Sequence, residues 1–248
     1  KALVSAARRA AALRGAADYG IHAAQPAAGA ADFTADFRAV MQRMRRLRAS
    51  LSPHDSAHRF SELGIDVYFG QGTFTSSNTV EVEGQPLRFK KAVIAAGARA
   101  AELPILGLKE AGYLTNETLF SLMEQPRRLI AIGGGPIGCE MAQAFARLGS
   151  QVTLIEQGPH ILSREDQDAA LIVQHAMQQD GVEIVLNARV IRVESEGTDK
   201  AVVVERNGQE SRVGGDQILV GIGRTPNLDG LGLDVVGVNS HPQQGIEV

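Results

Sequence analysis

The run Leu129-Ile130-Ala131-Ile132-Gly133-Gly134-Gly135-Pro136-Ile137-Gly138 decides the fold. Its four leading apolar residues, stopped by glycines, read as a short buried strand. Gly133-Gly134-Gly135-Pro136-Ile137-Gly138 fits the pattern G-x-G-x-x-G. Behind it Ile137, Met141, Phe145 and Leu148 recur at three- and four-residue spacing, and Gly149 follows. That spacing predicts an amphipathic helix over 136–148 with a glycine stop. Val152–Ile155 is a second apolar run, closed by the acid Glu156. The order is strand, glycine turn, helix, strand, acid, which describes an α/β unit of Rossmann type.

Each position has a physical reason. Gly133 permits the tight turn, Gly135 removes a side chain where a pyrophosphate approaches the backbone, and Gly138 lets helix and strand lie close. Pro136 suits the first helical position, where a missing N–H costs nothing. The helix N-terminus offers N–H groups and a positive dipole end to an anion. Glu156, about 20 residues after the glycines, is placed to accept from the hydroxyls of an adenosine ribose and to repel a 2′-phosphate. Gln157-Gly158-Pro159 brings no basic residue, although Arg164 lies further along the loop. The pattern therefore points to NAD rather than NADP.

Outward from this unit, the spacing predicts a helix from about Asp166 to Gln179, a strand at Val182–Val185, a meander at Val190–Glu194, Ala201–Glu205 and Ser211–Val213, and a buried strand at Ile218–Ile222. Towards the N-terminus, residues 1–18 read as a helix, Tyr19–Ala31 as a loop, and Phe33 to Leu51 as a second helix broken by Pro53. A further helical piece ends at Leu63 before Gly64. Ile65–Phe69, Gly72–Thr75, Thr79–Glu83 and Leu87–Ile94 are strand-like. The chain begins at Lys1 in helical sequence without an N-cap, and it stops at Ile246-Glu247-Val248, which reads as the start of a strand. An internal fragment of a longer protein is expected.

Composition narrows the function classes. The 248 residues are 44% hydrophobic and 21% charged, with formal net charge −3. That balance is globular and offers no basic field for nucleic acid or anionic lipid. No apolar run is long enough to span a membrane, and no signal-peptide h-region is present. One cysteine, Cys139, excludes an internal disulfide and suits a reducing, cytoplasmic compartment. At the start of the 136–148 helix its thiol could be acidified by the dipole, but a small buried hydrophobe is the ordinary role of a lone cysteine. His54 and His58 lie four apart without a third ligand and read as a surface pair, so no metal site is expected. Arg43, Arg45, Arg46 and Arg48 alternate with Met41, Met44 and Leu47 as the wet face of a helix.

Residues 133–140, Ile222-Gly223-Arg224-Thr225-Pro226-Asn227 and Ala92-Val93-Ile94-Ala95-Ala96-Gly97-Ala98-Arg99 together resemble the class I pyridine nucleotide-disulfide oxidoreductases. Pro53-His54-Asp55-Ser56 looks most like the mercuric reductase-like members. The resemblance implies an FAD-binding domain at 1–112 and 236–248, interrupted by an NAD-binding domain at 113–235. It implies electron flow from NADH through FAD to a cysteine pair and then to a small-molecule or metal-ion acceptor, in a homodimer. It places Lys1 against the flavin, paired with Glu140 at a buried border. It places Gly72, Ala96, Gly97 and Ala98 at FAD, and Val190 and Gly223 beside NAD. The redox cysteine pair of the family is absent from these residues. Two alternatives stand beside the mercuric reductase-like reading: dihydrolipoamide dehydrogenase chemistry, and a non-catalytic NAD-binding fragment.

Overall fold

The structure, a computed structural model, describes residues 1–16 and 34–248. The expected loop at 19–31 and the expected helix start at Phe33 lie outside the described residues. By contacts the chain divides into two compact units, Lys1–Leu47 with Glu102–Ile222, and Arg48–Ala101 with Gly223–Val248. These limits differ from the expected 112/113 and 235/236. Helix α1 (Ala2–Arg14) packs on the helix behind the glycine turn and so joins the first unit.

Helix α2 spans Phe37–Leu51 and buries Phe37, Met41 and Met44, leaving Arg43, Arg46 and Arg48 exposed. A 3-10 turn, Ser52–Asp55, leads into α3 (Ala57–Glu62), whose N-cap Ser56 accepts from the Arg59 N–H. His54 and His58 are exposed, as a surface pair should be. Strands β1 (Gly72–Ser76), β2 (Thr79–Val82) and β3 (Gln85–Arg88) form an antiparallel sheet. Two expected strands fail. Ile65–Phe69 forms no strand, and Phe69 is 78% exposed. Leu87–Ile94 contributes only its first two residues, to β3, and Val93 is 91% exposed. An apolar run becomes a strand only when a neighbour takes its N–H and C=O groups, and no described strand pairs with these. Strand β4 (Ala98–Ala100) follows.

The first unit holds the decisive run. After α4 (Leu108–Ala111) come β5 (Arg128–Ile132), α5 (Pro136–Leu148), β6 (Gln151–Ile155), α6 (Gln167–Gln179) and β7 (Val182–Val185), each within two residues of expectation. The meander is β8 (Arg189–Glu196), β9 (Asp199–Arg206) and β10 (Gln209–Gly215), and β11 is Gln217–Val220. The central sheet runs β11-β5-β6-β7, all parallel. Its alternation separates two cores. Leu129, Ala131, Val152, Leu154 and Leu219 pack with Phe145 and Met141 of α5, Leu3 of α1 and Met41 of α2. Ile130, Ile132, Ile155, Ile218 and Val220 pack with Val193, Val202 and Val204 of the meander and Leu108 of α4. Both faces of β5 and β11 are covered, which is why these two strands are apolar throughout after their first residues, whereas β6 and β7 carry Thr153 and Glu183, which share a hydrogen bond. The second unit closes with β12 (Arg224–Pro226), paired to β4, and the short hairpin β13 (Ser240–His241) and β14 (Gly245–Ile246). No helix among the described residues is long and apolar enough to cross a membrane.

Candidate functional site: a glycine turn closed by Glu156

The glycine turn lies at the end of β5. Gly133 has φ +102°, a region open to glycine, and donates its N–H to Ile155 O at 2.8 Å. A Cβ on Gly138 would stand 1.9 Å from Gly133 O, so turn and helix meet with no room for a side chain. Gly221, at the end of β11, lies against the same point; a Cβ there would stand 3.2 Å from Gly138 Cα. Gly135 differs. A Cβ on it would meet nothing nearer than Gly221 O at 3.8 Å. The absence of a side chain at 135 therefore serves open space rather than packing. Helix α5 starts there with Gly135 as N-cap, Pro136 in its first turn and no side-chain cap on its N–H groups.

Glu156, half-buried at the end of β6, turns into this loop. Its Oε2 accepts the Gly134 N–H at 2.6 Å, and its Oε1 accepts the Gly158 N–H at 2.7 Å. The Gly134 carbonyl accepts the Leu162 N–H at 2.7 Å and the Cys139 thiol at 3.2 Å. Ile161, fully buried, covers Gly134 from the same side. Thus Gly133, Gly134, Gly135, Pro136, Ile137, Gly138 and Glu156 come together as the sequence pattern requires. Gly158, Ile161, Leu162 and Gly221 also belong to the site and escaped the sequence reading. The only available signal was an apolar pair, Ile161-Leu162, inside an otherwise polar loop.

Cys139 is buried, and burial followed by the nearby Glu156 charge pushes its thiol from the ordinary 9.0 up to about 12. The environment overrides any acidification by the helix dipole, and the thiol is a packing group. No group of three or more His, Cys, Asp or Glu side chains able to hold a metal occurs among the described residues. Arg164 is exposed.

Other expected positions are scattered. Val190 sits half-buried in β8, against the meander-side core. In the second unit Gly72 opens β1. Ala96, Gly97 and Ala98 meet the 223–227 run: Ala96 O accepts from Asn227 Nδ2 at 3.0 Å, Gly97 O from Asn227 N–H at 3.1 Å, and Ala98 O from the Arg224 guanidinium at 2.6 Å. Gly97 (φ +70°) and Gly223 (φ +123°) both leave open space where a Cβ would stand. Glu140 does not occupy a buried border. It is exposed, because it falls on the flank of the Ile137–Met141–Phe145 stripe. Lys1 is also exposed, and no Lys1–Glu140 ion pair occurs among the described residues.

A doubly covered parallel sheet with a glycine turn and an acid at the next strand end defines a dinucleotide-fold protein. Residues 17–248 match the family model described as pyridine nucleotide-disulphide oxidoreductase, and the chain belongs to that family. It is 35% identical over 205 residues to a mercuric reductase of Lysinibacillus sphaericus, covering 83% of this chain and 38% of the relative. It is 38% identical over 188 residues to a dihydrolipoyl dehydrogenase of Bacillus subtilis (strain 168), covering 74% and 40%. Among solved structures it resembles the HOCl-induced flavoprotein disulfide reductase RclA from Escherichia coli, with TM-score 0.77 and 30% identity, covering 86% of this chain and 49% of that one. The chain thus spans less than half the length of each of these three relatives.

Proposed function

We propose that the chain is the nicotinamide-nucleotide-binding portion of an NADH-linked, FAD-containing disulfide or metal-ion reductase. The carrying observation is the glycine turn with Glu156 closing it. The fit to NAD rests on this chain's own atoms. Gly135 leaves open space beside an uncapped helix start, where a pyrophosphate would lie. Glu156 gives one lone pair of each oxygen to the protein, and its remaining lone pairs suit the two hydroxyls of a ribose. Its charge disfavours a 2′-phosphate, which supports NAD over NADP. For FAD, the open left-handed turn at Gly97 fits a close ligand approach to backbone. Bound together, the two cofactors would supply hydride and electron transfer.

The acceptor is the finer question. Relatives named for mercury and for dihydrolipoyl groups match at similar identity, 35% and 38%. Pro53-His54-Asp55-Ser56 favours the mercuric reductase-like reading. A homodimer of the full-length protein in the cytoplasm is part of the same proposal. The nucleotide reading is tested by titrating the chain with NADH and NADPH and following nicotinamide fluorescence. NADH should bind more tightly by about tenfold or more, since one unfavourable charge contact is worth roughly 1–2 kcal/mol. Gly135→Ala should weaken NADH binding while leaving the urea midpoint nearly unchanged. Equal affinity for the two nucleotides, or tight binding by Gly135→Ala, defeats the assignment.

A further inference from the structure

Gly134 is the most heavily engaged residue of the glycine turn. Its N–H is taken by Glu156, and its carbonyl receives the Leu162 N–H and the Cys139 thiol. Apart from the Cys139 thiol of α5, these contacts come from the segment 156–162, which loops back over the turn. Leu162 has φ +52°, a backbone region that a bulky side chain rarely adopts. The local strain is held in place by what it delivers: the Leu162 N–H onto Gly134 O, and Ile161 fully buried against Gly134. A second turn is tied in, because Glu156 also accepts the Gly158 N–H and Gly158 O accepts the Asn187 N–H at 3.0 Å.

We infer that Glu156 is the positioning residue of this turn: its carboxylate, braced between the N–H groups of Gly134 and Gly158, holds the glycine turn in its binding shape. This deepens the nucleotide reading and rests on it for the consequence in binding. A residue serving only the ribose would discriminate between nucleotides by their 2′ group. A brace supports the pyrophosphate cradle, which NADH and NADPH share. Its loss weakens both, so exchanging Glu156 for a basic residue does not by itself convert the site to NADPH.

The chemistry of the brace is specific to a carboxylate. Both partners are donors, and each needs an acceptor oxygen. Glutamine has the same length, but whichever way its amide turns, its NH2 faces one of the two N–H groups. Charge-assisted bonds of 2.6 and 2.7 Å are also at the strong end of their kind. A Cβ on Gly134 would stand 2.9 Å from Glu156 Oε2 and 3.1 Å from Ile161 Cγ2. Gly134→Ala therefore pushes the carboxylate away while leaving it chemically intact.

The test reads the brace without any nucleotide. Amide hydrogen exchange is followed residue by residue in the chain, in Glu156→Gln and in Gly134→Ala. Exchange at Gly158 should quicken by about tenfold or more in Gly134→Ala, with Leu162 quickening in both variants. Gly134 or Gly158, whichever faces the amide NH2, should do so in Glu156→Gln, while amides of β8, β9 and α6 keep their rates and report an intact fold. NADH and NADPH affinities should both fall in Gly134→Ala, which displaces the brace while keeping the carboxylate charge. Unchanged exchange at Gly158 in Gly134→Ala overturns the proposal, as does unchanged exchange at both Gly134 and Gly158 in Glu156→Gln, or NADPH binding that is retained or improved in Gly134→Ala. If the parent chain binds neither nucleotide, the functional reading falls, and the exchange rates alone still decide the brace. If Glu156→Gln fails to fold, Gly134→Ala, which keeps the carboxylate, decides it by the same Gly158 reading.

Discussion

Two neighbours on α5 show how position decides the role of a residue. Gly138 is required because 1.9 Å separates its would-be Cβ from Gly133 O, whereas Cys139 beside it is simply enclosed. The Cys139 thiol is pushed up to about 12 by burial and then by Glu156. With the folded value raised above the ordinary 9.0, the folded chain holds a proton that the unfolded chain releases. The associated stability is complete below pH 9 and is lost as pH rises from about 9 towards about 12. Urea midpoints measured across that range should fall more steeply for the parent than for Cys139→Ala. At pH 8 a thiol reagent should label the parent only after unfolding; rapid labelling of the folded chain contradicts the assignment. The sequence already favoured a buried packing role for this lone cysteine; the groups that raise its thiol, Glu156 among them, came only with the fold.

Elements were legible where a periodic pattern and a partner coincide. Strands β5, β6 and β7 and helix α5 emerge from the sequence almost to the residue, since each strand is a short, mostly apolar run and α5 carries a stripe with a glycine stop. Ile65–Phe69 carries an equally apolar pattern and forms nothing, because pairing is a property of the neighbour and not of the segment. The junction of α5 and α6 was also invisible. Arg147 Nη2 and Gln143 Nε2 both reach Asp180 Oδ2, at 2.8 and 2.7 Å, and Arg14 of α1 donates to the Arg147 carbonyl. Asp180 is the C-cap residue of α6, so α5 and α6 meet through one half-buried carboxylate, and α1 joins them at the Arg147 carbonyl. Asp180→Asn should cost about 1–2 kcal/mol in urea unfolding, the range for a charge-assisted contact that is not fully dry. The same loss should appear in Arg147→Gln, and the double variant should cost less than the sum. Full additivity denies the link.

At the scale of the whole chain, the arrangement is a nucleotide-type sheet with a second, smaller β-rich unit whose motif runs meet at β4 and β12. The chain has a single cysteine, and that cysteine is buried. Dithiol chemistry needs two sulfurs that exchange, one of them able to ionise near ambient pH. A polypeptide of these 248 residues, supplied with NADH and FAD, should therefore show no NADH-dependent reduction of a disulfide above the rate without protein. Turnover at a rate typical of the reductases would show that electrons leave by a route that avoids thiols.

The sequence by itself determined the Rossmann unit, its glycine turn, the acid at the end of β6 and the family, because these depend on local rules: strand and helix periods, glycine where backbone must approach backbone, and a carboxylate at a set distance along the chain. Only the tertiary structure decided where that carboxylate points. Gly158, Ile161, Leu162 and Gly221 join the site through contacts across separate segments, Cys139 is silenced by what surrounds it, and Glu140 is left exposed by its angle on the helix. Those outcomes depend on neighbours brought together by folding, and neighbours are what a linear pattern does not specify.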